Sequence, residues 1–138
     1  MEINKGRRCL VIAGLLTVLV AALYGQTLGF DFIHFDEEQY VTKNPQVLSG
    51  LTWEGVHWAF ANIEVGFWHP LTWISLMLDG ELFGLYAGGY HGTNVLWHLG
   101  TTLLLFWVLT RMTGMPGRSG LVAALFAVHP LHVESVAW

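Results

Sequence analysis

The stretch FDEEQY, Phe35 to Tyr40, sets three carboxylates, Asp36, Glu37 and Glu38, among aromatic rings. Neighbouring carboxylates raise one another's pKa, and partial burial adds to the effect. A carboxylate tuned in this way is a general base for a hydroxyl near neutral pH, or half of a metal-ligand pair with His34. The same triplet also reads as a solvated acidic entry to a loop. A second constellation is HPLHVE, where His129 and His132 stand at i,i+3 with Glu134 close behind. On one helix face that spacing suits a divalent metal, although a working site needs three or four ligands. Pro130 disturbs a helix, so both rings could instead cap freed backbone groups. His69, His91, His98 and Asp79 are further polar groups in or beside apolar runs. Of these, His98 is expected to be a buried hydrogen-bonding residue and His69 the cap of a helix that Pro70 begins.

Such side chains need elements to hold them, and the composition points to a membrane. Apolar residues make up 54% of the chain and charged ones 12%, where a soluble domain carries about a quarter charged. Seven tryptophans suit membrane interfaces. The charges are segregated along the chain, which argues against a nucleic-acid binder, since that needs a clustered basic surface. The single Cys9 excludes an internal disulfide and a cysteine-based zinc site. Residues 1–8 form a basic head with Lys5, Arg7 and Arg8, and 9–28 carry no charge. Twenty helical residues cover about 30 Å, the thickness of a bilayer core. A cleaved signal peptide shares this pattern but has a shorter apolar run and a small-x-small site, so an anchor is expected.

Residues 29–92 hold eight acids against the single Lys43, whereas Arg111 and Arg118 bracket the turn 111–118. Because cytoplasmic loops are enriched in Lys and Arg, the head and that turn are expected inside and 29–92 outside. The second span is then 93–110 and the third 119–138. Within the outer loop, Thr52 is expected to cap one helix and Pro70 to open another. The first offers Trp53, Val56, Trp58 and Phe60; the second carries a stripe of Leu71, Ile74, Leu78 and Leu82. With Trp53, Trp58, Trp68 and Trp73, these two amphipathic helices are expected on the membrane surface. The alternative is a small extramembrane domain packed on itself. The fold class is thus all-α integral membrane, with three spans and interfacial helices. A third span carrying a Pro and two His would leave polar groups facing lipid, so the chain reads as the N-terminal fragment of a larger multispan protein.

The succession FDEEQYVTKNPQV, GLTWEGVHWAF, WHPLTWISLMLD, ELFGL, HGTNVLWHL and LVAALFAVHPLHVESVAW resembles the membrane part of the tetratricopeptide-repeat O-mannosyltransferase-like family. The resemblance runs from about Gly29 to Trp138. It implies part of a GT-C multispan glycosyltransferase, which moves a sugar from a polyprenyl-phosphate donor to a protein or other hydroxyl acceptor on the outer face. It implies Asp36 as catalytic base, Glu37 as its partner, and His129, His132 and Glu134 near the same outer cavity, with donor-phosphate binding one role for them. His69 is a further cavity-lining candidate. A divalent metal is left open. Membrane lipid, the donor and a protein acceptor are the expected partners, and nucleic acid is not. The expected location is a bacterial inner membrane, N-terminus cytoplasmic, and the stretch alone is expected to be inactive. Two readings from other classes stand beside this one: a small membrane adaptor that recruits a partner through its acidic loop, and a His-rich metal carrier.

Overall fold

The computed structural model describes residues 2–33, 37–64 and 66–137, with side chains from Lys5 onward. Among these residues the regular elements are helices, and one isolated bridge joins Glu64 to Phe67. The chain divides into two compact units, Gly29–Tyr90 and the remainder.

The unit made of Met1–Leu28 and His91–Trp138 contains the long apolar helices. Helix α1 (Glu2–Tyr24) continues into a 3-10 turn, Gly25–Gly29. The elements labelled α2 to α4 (Pro45–Leu48, Trp53–Ala61 and Pro70–Phe83) belong to the other unit. Helix α5 runs Ala87–Thr113, α6 Pro116–Ala127 and α7 His132–Ala137. Gly114 takes a positive φ of 69° to stop α5, and Pro116 opens α6 directly after it. Thr113 Oγ1 accepts the Met115 N–H at 3.2 Å and closes this turn.

Helix α1 packs on α6 through a contact that only glycine permits. A Cβ on Gly120 would stand 2.6 Å from Ile12 Cγ2. Beside that approach, Leu16, Phe106 and Ala123 form one buried cluster and Val20, Tyr24, Ala127 and Val136 another. Leu10, Leu15 and Val18 of α1, and Leu96, Leu104 and Trp107 of α5, face outward. Apolar outer faces on helices of this length suit lipid contact.

Two helices, Lys5–Gly29 and Ala87–Thr113, are long and apolar enough to cross a membrane. The stretch expected as a third span departs from a continuous helix. Helix α6 has 12 residues, about 18 Å, against a bilayer core of about 30 Å. Residues 128–131, which include Pro130, separate it from the short α7.

In the unit Gly29–Tyr90, side-chain caps fix the helix starts. Asn44 Oδ1 accepts the amides of Gln46 and Val47 ahead of α2, and Thr52 Oγ1 accepts the Gly55 amide ahead of α3. Pro70 is the first residue of α4. Val41, Val47, Ala59, Trp73, Met77 and Tyr90 make the core, so this stretch has a buried centre of its own. Gly80 lets α4 meet α2, since a Cβ there would sit 2.5 Å from the Val47 carbonyl oxygen. Trp73 and Met77 are fully buried, whereas Leu71, Leu78 and Leu82 are exposed. Trp73 is therefore a core residue, while Trp53 and Trp68 remain on the surface.

Candidate functional site

Of the acidic triplet, Asp36 lies outside the described residues, as does His34. Glu37 stands at the head of a π-helical turn, Glu38–Thr42, and is 8% exposed. Such turns are rare and recur at functional sites. Here the turn is held by the Lys43 amide on the Glu38 carbonyl at 2.9 Å and by Asn44 Nδ2 on the Gln39 carbonyl at 3.1 Å. Asn44 thus stabilises the turn behind Glu37 while its oxygen caps α2. Glu38 differs from its neighbour. Its carboxylate meets Lys43 Nζ at 2.6 Å on the surface, so for this acid the solvated reading of the triplet applies.

The π turn also carries Tyr40, whose ring stacks on Trp73 at 5.0 Å between centroids and 14° between planes. His69 lies 5.7 Å from Tyr40 and 5.2 Å from Trp73, and Phe67 stacks on its other side at 6.1 Å. His69 occupies the N-cap position of α4, yet its side chain makes no capping hydrogen bond, contrary to expectation. Its backbone carbonyl instead takes the amides of Thr72 and Trp73. His69 Nε2 and Trp73 Nε1 are both buried and have no hydrogen-bond partner among the described residues. Two orphaned polar atoms in one aromatic cluster cost free energy and call for an explanation. Asp79 is buried in this unit, where its charge acts on Tyr90.

In the other unit, His129 lies in the break before α7 and His132 begins α7, so the two do not share a helix face. Their rings nonetheless lie 6.0 Å apart. His129 Nδ1 accepts the Leu131 amide at 3.3 Å, the backbone-capping role that Pro130 makes necessary. His98 reaches them from α5. Its ring centroid is 5.3 Å from that of His132 and 5.1 Å from that of Tyr24, and its Nε2 bonds the Ala127 carbonyl at 3.1 Å. His98 is therefore the buried hydrogen-bonding residue expected. Phe126 packs on His132 at 4.3 Å. A groove of about 240 Å³ opens here, lined by Asn94, Thr101 and Ser135 together with His98 and His132. Glu134 is exposed on α7. Among the described residues no group of three His, Cys, Asp or Glu side chains is arranged to hold a metal ion.

The structure thus joins His129 and His132 to His98, and His69 to Tyr40 and Trp73. The sequence placed neither His98 nor Tyr40 in a site. Both come from elements distant along the chain, and neither carries a local motif.

Taken together, the chain is an all-helical protein with two helices fit to span a membrane and two clusters rich in imidazole and aromatic groups. Comparison with known proteins gives its kinship. It is 34% identical to a protein O-mannosyl-transferase, Tmtc1 of Drosophila melanogaster, across 91% of the chain. It is 34% identical to TMTC1 of Mus musculus across 97%, and 30% identical to TMTC2 of Homo sapiens across 88%. Over most of its length the chain is thus a homologue of these protein O-mannosyl-transferases, as its motifs led one to expect. It spans about 16% of the length of the first two relatives. No family model and no solved structure matches it.

These relatives correct one expectation. They are animal proteins, which contradicts the expected bacterial inner membrane. Hydropathy and charge asymmetry could not have told the two sources apart, because bacterial and eukaryotic membranes present a similar apolar thickness and the same rule of cytoplasmic positive charge.

Proposed function

We propose that this chain is part of the membrane domain of a GT-C glycosyltransferase that transfers mannose from a polyprenyl-phosphate donor to a hydroxyl of a protein acceptor. The observation that carries this reading is the 34% identity to protein O-mannosyl-transferases over nine-tenths of the chain. In this reading Lys5–Gly29 and Ala87–Thr113 cross the bilayer, 119–138 contributes a third, interrupted passage, and Gly29–Tyr90 stands on the luminal side.

The acceptor hydroxyl is a poor nucleophile and needs a positioned base, whereas phosphate is already a good leaving group. Asp36 takes the hydroxyl proton as the acceptor oxygen attacks the anomeric carbon. The bond from that carbon to the phosphate oxygen breaks, and the polyprenyl phosphate departs with the electron pair. Glu37, buried beside Asp36 in sequence, orients the acceptor and keeps negative charge close to the base. His129, His132 and Glu134 have donor-phosphate binding as their role. His69, whose Nε2 has no partner among the described residues, offers a hydrogen bond to a sugar or acceptor group.

The test is transfer of radiolabelled mannose from dolichyl phosphate by the complete polypeptide in microsomes. Asp36→Asn is expected to lower the transfer rate by about 10²–10⁴-fold while donor binding persists. Unchanged turnover removes Asp36 from the mechanism. Failure to consume any polyprenyl-phosphate sugar where a related enzyme is active overturns the transferase reading itself.

A further inference from the structure

Five of the six basic residues, Lys5, Arg7, Arg8, Arg111 and Arg118, belong to the unit of long apolar helices and collect at one end of it. Three of them, Arg7 and Arg8 from α1 and Arg118 from α6, line a cavity of about 580 Å³. Its remaining walls are Val11, Ile12, Met115, Pro116 and Gly117, none of them charged or polar in the side chain. Among the described residues no carboxylate pairs with these three guanidinium groups. Three cations set around one apolar groove repel one another, and an anion relieves that repulsion. A free inorganic anion would satisfy the charges and leave the apolar walls in water. A molecule with a phosphate head and an apolar tail satisfies both.

We infer that the groove between the start of α1 and the start of α6 binds the headgroup of an anionic phospholipid. Arg7, Arg8 and Arg118 engage the phosphate, and the first acyl carbons lie along Val11, Ile12 and Met115. Guanidinium suits the task because its planar fork offers two parallel donors to phosphate oxygens. The position suits it as well. The groove lies at the polar end of the Lys5–Gly29 span, where a lipid headgroup sits beside a membrane helix, and basic residues at the cytoplasmic surface attract anionic lipids. Close packing of α1 on α6 at Gly120 holds the two arginine-bearing walls at a fixed separation. The neighbouring groove, lined by Lys5, Cys9, Thr110 and Arg111, is an internal control. It carries fewer cations, and Arg111 lies over the Trp107 ring at 5.8 Å.

The test is native mass spectrometry of the full chain in a neutral detergent, titrated with phosphatidylserine, with phosphatidylcholine and with inorganic phosphate. Phosphatidylserine is expected to bind with a defined stoichiometry and at least about tenfold more tightly than phosphatidylcholine. The R7Q/R8Q/R118Q chain is expected to lose that preference, while K5Q/R111Q retains it. Because the triple variant could fail to fold, R118Q and R7Q are also measured singly, with helix content checked by circular dichroism. Each folded single variant is expected to weaken phosphatidylserine severalfold. Equal losses in K5Q/R111Q and in the arginine variants overturn the site in favour of diffuse charge attraction. Displacement of the lipid by millimolar inorganic phosphate shows a plain anion site and overturns the lipid assignment. Undiminished binding in the folded single variants overturns it as well.

Discussion

His132 shows how tertiary neighbours give a side chain properties that its sequence position does not. Its ring centroid lies 5.3 Å from that of His98, 6.0 Å from that of His129 and 4.3 Å from that of Phe126, so α5, α6 and the break at Pro130 all contribute to its surroundings. His98 ties this cluster to α6, because its Nε2 bonds the Ala127 carbonyl at 3.1 Å. His98→Phe keeps a ring of similar size, removes that bond and leaves a buried acceptor without it, which is expected to cost about 1–3 kcal/mol. Thermal unfolding in detergent is the measure. A midpoint indifferent to residue 98 sinks the account of His98 as the anchor of the three rings.

The helices show which parts of the sequence could be read directly. Thr52 and Pro70 mark helix starts through local chemistry, a hydroxyl that accepts an amide and a ring that lacks one, so both appear where expected. The buried face of α4 could not be read the same way. PLTWISLMLDGELF is apolar on almost every side, so periodicity cannot choose between Trp73 with Met77 and Leu71 with Leu78. Contact with α2, α3 and the π turn made the choice, and those partners lie far from α4 in sequence. The imidazole cluster was hidden for the same reason: HPLHVE suggested a pair, and the third ring came from α5. Gly80 carries a consequence for stability. Gly80→Ala forces a methyl group toward the Val47 carbonyl and is expected to cost about 1–3 kcal/mol. Gly100→Ala, in α5 with open space around it, is expected to be neutral or to stabilise by up to about 1 kcal/mol. Hydrogen exchange at the Val47 and Leu48 amides is the measure, and equal protection in the two variants removes the close approach as a structural constraint.

Charge is distributed along the whole chain so that one arrangement in a membrane is favoured over its inverse. Lys5, Arg7, Arg8, Arg111 and Arg118 flank the two long helices at one end, while the acids other than Glu2 and Glu134 fall within Gly29–Tyr90. Positive charge close to the ends of spans governs orientation, and the position of acids contributes little. The basic ends are therefore expected in the cytoplasm and Gly29–Tyr90 in the lumen, where the proposed base would meet acceptors. The chain itself contains no Asn-x-Ser/Thr glycosylation acceptor, so an introduced one reports its own location without background. Gly66 is a suitable position, being an exposed turn with φ 81° and open space around it. In microsomes an acceptor loop inserted at Gly66 is expected to gain a glycan removable by endoglycosidase, and one in a tag ahead of Met1 is not. Neutralising Lys5, Arg7 and Arg8 together is expected to lower the glycosylated fraction at Gly66, because the orientation then loses its principal bias. A glycan on the tag with none at Gly66 would place Asp36 on the cytoplasmic side, away from any luminal donor. The proposed chemistry at that face would then fail, however well the sequence matches its relatives.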